Sequence, residues 1–231
     1  VTPPLLLFED IVCGYGDTMV VHGVAGRLDA GRVLGIVGRN GVGKSTLLKA
    51  LAGFLPLARG RVALQGGELR AEPAHARVGA GMAYAPQENP VFGELSVEQN
   101  LWLHLPDRDA RRYARALDAF PRLHERRRQR AGLLSGGERK LLSFTRTLGL
   151  RTPVALLDEP TEGVQPENID RMARLVHEVK ATGGGFVIVE QNLGFVEQVA
   201  DHVLVLDRGE CVLAGAWQAL GREALERHLR V

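Results

Sequence analysis

The chain has 231 residues, 45% of them hydrophobic and 24% charged, with a formal net charge of +2. That length can bury a substantial core in one large α/β domain or two small ones. So small a net charge implies no nucleic-acid or membrane partner through bulk electrostatics, although 25 of the 29 basic residues are arginine.

Read from the N-terminus, VTPPLLLFED lacks the positive start and long apolar run of a signal peptide. Nowhere does an apolar stretch reach the ~18 residues that span a bilayer, so a cytosolic chain is expected. Cys13 and Cys211 are far apart and fit no metal-ligand spacing; both are expected to be small apolar fillers in a reducing compartment. Strand-length apolar runs recur at 5–8, 33–37, 62–64, 81–85, 154–157, 186–189 and 203–206, several of them separated by helical patterns. Continuous apolar strands with helices between them predict a mostly parallel α/β sheet covered on both faces. The N-terminal part, with VVHGVAGRLDAGRV leading into the next strand, predicts antiparallel hairpins instead.

The strand at 33–37 runs into GRNGVGKST at 38–46 and then into the apolar helix start LLKALAG. Gly38, four residues, Gly43, Lys44 and Ser45 reproduce the P-loop pattern, whose glycines let the backbone wrap a phosphate chain while N–H groups and a helix N-terminus point at the anion. In that pattern Lys44 reaches the β- and γ-phosphates and Ser45 binds Mg²⁺, with Arg39, Asn40, Gly41, Val42 and Thr46 completing the cradle. Chance supplies such a match about 0.003 times in a chain of this composition, so a plain glycine-rich turn is the weaker reading.

From 92 to 150 the strand signals give way to helical patterns in SVEQNLWLHL, DRDARRYARALDAF and GGERKLLSFTRTLGL, which predict a helical insertion between two halves of one sheet. RRRQR at 126–130 reads as a solvated helix face rather than a binding patch. In LLSGGERK, Ser135, Gly136 and Gly137 open a helix and form a second anion site. The strand of VALLDEP at 154–160 ends on Asp158, at the sheet edge where the P-loop also lies. Asp158 is thereby placed to support Mg²⁺ and its water shell, and Glu159 to polarise an attacking water as a general base. FVIVEQN at 186–192 is a short buried strand with a polar tip. Alone, Glu190 and Gln191 read as two solvated residues leaving the core. On an edge shared with Lys44, Asp158 and Glu159, Gln191 is expected to face the γ-phosphate or the attacking water, and Glu190 to cap or brace the loop.

The P-loop, VALLDEP and the signature at 134–138, here Leu-Ser-Gly-Gly-Glu where Gln is usual at the end, resemble the ATP-binding cassette family over essentially the whole chain. The resemblance implies one cassette over 1–231, with a nucleotide-binding core and antiparallel β part in 1–91 and 151–231 and a helical subdomain in 92–150. ATP and Mg²⁺ are the implied cofactors. Tyr15 would stack on adenine, and Gln87 would touch Mg²⁺ and the attacking water. Ser135, Gly136, Gly137 and Glu138 would complete the ATP site of the opposite subunit in a head-to-tail dimer. A transmembrane permease would dock at the segment 88–105, opened by Glu88 and closed by Leu105, where Phe92, Leu95 and Trp102 either line a groove or pack inside the helical subdomain. The implied location is peripheral, on the cytoplasmic face of the membrane.

Two positions depart from the usual family pattern: Gln165 replaces an aspartate of the dimer-contacting loop, and Gln191 replaces a histidine. The spellings EPTEGVQP and VEQN are nevertheless typical of ATPases of branched-chain amino acid importers and of related urea and short-chain amide importers. GRNGVGKST and Pro86-Gln87 lean toward the urea and amide branch. Such importers imply a second, often non-identical, ATPase chain and a solute-binding protein, and the short tail after 206 is expected to hold no regulatory domain. The competing readings are a nucleotide-gated regulatory subunit and a non-transport ATPase acting on DNA or ribosomes. The latter usually carries a coiled-coil insertion or a second cassette, and neither is present in this sequence.

Overall fold

The computed structural model describes residues 3–69, 72–103, 105 and 107–229. Part of the expected docking segment, at 104, and the first two residues of the N-terminal stretch lie outside the described residues. In chain order the elements are β1 (Leu6–Tyr15), β2 (Thr18–Leu28), β3 (Val33–Gly38), α1 (Lys44–Leu51), β4 (Arg59–Leu64), β5 (Gly67–Leu69), α2 (Ala74–Ala80) and β6 (Met82–Ala85). There follow α3 (Val97–Trp102), α4 (Ala114–Ala119), α5 (Pro121–Glu125) and α6 (Gly136–Gly149). The chain then forms β7 (Val154–Asp158), α7 (Pro166–Ala181), β8 (Gly185–Glu190), α8 (Leu193–Val199), β9 (His202–Asp207), β10 (Glu210–Ala216) and α9 (Trp217–Leu229), the last kinked at Gly221.

Two sheets result. The first, in the order β2-β1-β4-β5, is antiparallel, and β1 alternates buried and half-buried residues along most of its length, as a sheet packed on one face should. The second has the order β10-β9-β3-β8-β7-β6, parallel throughout except for the edge strand β10. Its strands β3, β7 and β8 are buried at every residue, which is why they read as unbroken apolar runs. Side chains alternate across this sheet. Val187 and Val189 of β8 join Leu47, Leu48 and Leu51 of α1 in the core between the sheets, whereas Phe186 and Ile188 join Leu142 and Phe144 of α6 and Val176 of α7 on the other face.

The strands before and after the helical segment do not form two separate blocks. They interleave, so that β8 lies between β3 and β7, with Val37 opposite Glu190 and Val189 opposite Asp158. That register brings the C-terminal ends of three strands to one edge, where open α/β sheets place their ligands.

Three local expectations are corrected. RRRQR does not lie on a helix: α5 ends at Glu125, and the carbonyls of Arg127 and Gln129 accept the free N–H groups of Glu98 and Val97 at 2.9 Å each. Those donors belong to the first turn of α3 and have no partner within it, so the arginine segment serves as their acceptor. The pattern DRDARRYARALDAF breaks into a short 3₁₀ turn and α4, separated at Tyr113, whose ring is buried and packs edge-on against Trp102 with centroids 4.9 Å apart. Cys13 is buried as expected, and burial pushes its thiol up to about 11. Cys211 is no filler, because β10 is an edge strand and leaves it exposed.

Candidate active site

The glycines of GRNGVGKST do what the pattern requires. Gly41 and Gly43 have φ of 78° and 104°, backbone that side chains with a Cβ rarely adopt, and Gly43 caps α1 from that conformation. The first turn of α1 carries no acidic residue, so no carboxylate of its own competes for its N–H groups. Lys44 folds back over the loop and donates from Nζ to the carbonyls of Gly38 and Arg39, both at 2.9 Å. Its ammonium is buried and lies 3.7 Å from Glu159. Burial lowers the Lys44 pKa, while Glu159 and Asp158 oppose that shift.

Asp158 ends β7 with 1% of its surface exposed. It accepts a hydrogen bond from Ser45 Oγ at 2.8 Å and another from the Tyr84 hydroxyl at 3.3 Å. Burial raises its carboxyl pKa, and the bonds from Ser45 and Tyr84 pull the other way. The same environment, burial first and Asp158 second, pushes the Tyr84 hydroxyl far above the ordinary tyrosine range, so Tyr84 stays a donor.

Glu159 follows in the left-handed region, with φ of 45°, and its side chain is buried. Such a backbone costs about 1–3 kcal/mol in a non-glycine residue and persists only where its surroundings over-determine it. They do so here. The Glu159 N–H donates to the Val189 carbonyl of β8 at 2.9 Å, and each carboxylate oxygen takes an amide: Gln87 Nε2 at 2.9 Å and Gln191 Nε2 at 2.8 Å. Gln191 also donates to Asn40 Oδ1 of the P-loop at 2.6 Å. Gln87, Gln191, Lys44, Ser45, Asp158 and Glu159 thus form one cluster at the sheet edge.

Glu190 does not leave the core; it is 2% exposed. Its carboxylate accepts from the N–H and hydroxyl of Thr161 at 2.9 and 2.6 Å and from the N–H groups of Gln191 and Asn192 at 3.0 and 3.1 Å. The brace therefore joins the loop after Glu159 to the loop carrying Gln191. Burial raises the Glu190 pKa, and these four bonds oppose the rise.

The signature stands apart from this cluster. Ser135 caps α6 in a capping box: its hydroxyl accepts from Glu138 N–H at 3.2 Å, and Glu138 Oε2 accepts from Ser135 N–H at 2.9 Å. Either Glu or Gln closes such a box, which accounts for the Glu138 departure in structural terms. Ser135, Gly136 and Gly137 line a cleft of about 1020 Å³ together with Glu162, Val164 and Gln165. Tyr15, half exposed, ends β1 at the β1–β2 turn, and β2 runs on to bring Val20 beside Gly43. Phe92 is exposed and, with Phe54 and Val78, lines a groove of about 1100 Å³ that reaches Gln87 and Asp158. Trp102 is absent from that lining and packs on Tyr113, and Leu95 is half-buried. Two contributors escaped the sequence reading: Tyr84, one residue from the end of β6, and Lys140, one turn into α6, neither of which a motif position singles out.

A parallel sheet that gathers a phosphate loop with its lysine, a buried strand-end aspartate and an adjoining glutamate on one edge defines a P-loop nucleotide hydrolase. The family model for ABC transporters matches residues 21–162, and the chain belongs to that family as an ATP-hydrolysing transporter subunit. It is 34% identical over 220 residues to the high-affinity branched-chain amino acid transport ATP-binding protein BraG of Pseudomonas aeruginosa, covering 94% of each chain. It is 30% identical over 216 residues to the lipopolysaccharide export system ATP-binding protein LptB of Escherichia coli K12, covering 91% of this chain and 90% of that one. Among solved structures, an ATP-binding subunit of an ABC transporter aligns with a TM-score of 0.83 at 26% identity, over 98% of this chain and 95% of the other. Among the described residues no helix is long and apolar enough to cross a membrane.

Proposed function

We propose that the chain is the energy-coupling ATPase of an importer for branched-chain amino acids or for urea and short-chain amides. The observation that carries the chemistry is Glu159, buried, with one amide on each carboxylate oxygen and the P-loop lysine 3.7 Å away. Held so, Glu159 serves as the general base that polarises water toward the γ-phosphate, while Gln87 and Gln191 fix its orientation. Both amides are neutral near pH 7, so they orient and do not shuttle protons. Lys44, already desolvated, exchanges its two loop carbonyls for phosphate oxygens without further loss of water. Tyr15 is the adenine platform.

Ser45 and Asp158 offer adjoining hard oxygens, the donor type Mg²⁺ takes, with Gln87 the third candidate ligand. Bound there, the ion supplies charge that offsets the β- and γ-phosphates. The signature residues lie outside this cluster, which supports their serving the ATP of an opposite subunit, identical or not, in a head-to-tail dimer at the cytoplasmic face of the membrane. The groove at Phe54, Val78 and Phe92 is the proposed seat of a permease helix, since its floor reaches Gln87. A solute-binding protein follows only indirectly. The likeness to BraG, together with EPTEGVQP and VEQN, favours import. The likeness to LptB keeps lipopolysaccharide export as a second reading, and co-purification with permease subunits of one kind or the other separates the two.

Glu159→Gln tests the chemistry: steady-state hydrolysis should fall about 10²-fold or more while ATP binding is preserved. Unchanged turnover would remove Glu159 from the mechanism.

A further inference from the structure

We propose that Lys140 is a positioning residue that ties the signature helix to the catalytic loop of its own chain, an assignment that rests on the ATPase reading above. Lys140 lies one turn into α6, five residues beyond Ser135, and is 8% exposed. Its Nζ donates to the Gln87 carbonyl at 3.0 Å and to the Glu159 carbonyl at 3.1 Å, and stands 3.6 Å from the Glu162 carboxylate. Gln87 and Glu159 are the pair whose side chains meet at 2.9 Å. One ammonium therefore holds from behind the two backbones whose side chains meet in front. Among the described residues the Glu159 carbonyl also accepts a 3.4 Å hydrogen bond from Glu162 N–H, so the lysine is the closer of these partners.

A lysine suits this place because its ammonium offers three donors around one atom, and a buried charge is tolerated only when so partnered. Burial lowers the Lys140 pKa, and Glu162, Asp158 and Glu159 oppose that shift. A second contact joins the same segments. Gly137 packs so tightly on the loop after Glu159 that a Cβ there would lie 2.4 Å from the Gly163 carbonyl. The first turns of α6 and the loop from 159 to 164 are thereby bound at two points, so engagement of Ser135, Gly136 and Gly137 on one side is felt by Glu159 on the other. Among the described residues the polar contacts of Lys140 are to Gln87, Glu159 and Glu162 and not to the P-loop, so its loss should act on kcat and leave ATP affinity alone.

The test compares full-length chains carrying Lys140→Met, Lys140→Gln or Lys140→Arg with the parent, in steady-state hydrolysis over a range of ATP, in displacement of a fluorescent ATP analogue and in thermal unfolding. Lys140→Met should lower kcat about tenfold or more with ATP affinity within about twofold of the parent. Lys140→Gln keeps two donors and should recover kcat to within about threefold. The proposal is overturned by parent-like kcat in Lys140→Met, by a Lys140→Gln chain no more active than Lys140→Met, or by lost affinity that accounts for the lost rate. Should Lys140→Met not fold, Lys140→Arg decides: it keeps the charge, but its planar guanidinium is longer and larger than the ammonium it replaces in a buried site and displaces the two carbonyls from each other, so kcat falls at unchanged affinity, and parent-like kcat overturns the role. Glu159→Gln, run alongside, separates the two failures. Hydrolysis that survives in it removes Glu159 from the mechanism, whereas an inactive Glu159→Gln beside a fully active Lys140→Met removes only the role of Lys140.

Discussion

Glu190→Gln isolates the brace at the tip of β8 with almost no change of shape. The carboxylate accepts four hydrogen bonds, two on each oxygen, from Thr161, Gln191 and Asn192. An amide keeps one oxygen and turns an NH₂ group toward the other pair of donors. Turned toward Gln191 and Asn192 it leaves two N–H donors without an acceptor, and turned toward Thr161, whose hydroxyl can rotate to accept, it leaves one, at about 1–3 kcal/mol each. Removing the charge returns part of this, because burial disfavours the ionised carboxylate and raises its pKa. The net loss is then about 2–4 kcal/mol, or roughly 5–15 °C in Tm for a chain of this size. Because the brace joins the Glu159 and Gln191 loops, kcat should fall about tenfold as well, with ATP affinity kept. Thermal unfolding and steady-state hydrolysis on the same preparation check both expectations. A Tm within 2 °C of the parent together with unchanged kcat would refute the brace.

Gln191→Ala removes the amide that reaches both Glu159 and Asn40 and should slow hydrolysis about tenfold at unchanged ATP affinity, measured as kcat against KM. Gln191→His should stay active and add a titration near the ordinary histidine value of about 6.5 to the pH–rate profile, which the parent lacks. Asp201 gives a stability prediction. Desolvation pushes its carboxyl up, but Lys180, the Val33 N–H and Arg32 outweigh that effect and hold it below the ordinary value of 3.8. A depressed carboxyl contributes stability above its unfolded pKa and loses it as the pH falls through the folded one. Asp201→Asn should therefore be less stable than the parent at pH 7, and urea unfolding should show the difference closing below the pH of the ordinary aspartate titration; a gap that stayed constant down to pH 3 would contradict the assignment.

What was legible in the sequence was chemistry written at short spacing. Gly38 to Thr46 must wrap as it does because glycine alone relieves φ at Gly41 and Gly43, and Asp158 and Glu159 lie at an edge because an apolar strand ends on them. That FVIVEQN belongs to the same edge could be argued from motif company. That β8 lies between β3 and β7 could not, since strand order depends on contacts over a hundred residues apart. The helical segment was legible as helix but not as surface: Phe92 and Trp102 are both large and apolar near α3, and only the position of Tyr113 decides that one faces a groove and the other the interior. Charge misled at RRRQR, which looked like a helix face because nothing local shows that α3 needs its carbonyls, and Lys140 gave no signal because its acceptors are backbone atoms of Gln87 and Glu159, 53 and 19 residues away.

Glu159 draws its restraints from three segments that are remote from one another in sequence: β8 with the Gln191 loop that follows it, α6, and the loop carrying Gln87. Its N–H is held by β8, its carbonyl by Lys140 of α6, and its two carboxylate oxygens by the loops carrying Gln87 and Gln191. Each segment also faces something else: α6 opens at the signature cleft, Gln87 borders the groove with Phe54 and Phe92, and Gln191 touches the P-loop through Asn40. A residue kept in a strained left-handed backbone only by several such holds is one whose alignment any of them can release. On the function proposed above, the nucleotide, the opposite subunit and the permease would have separate surfaces to act on, and the orientation of one carboxylate would be the quantity they share.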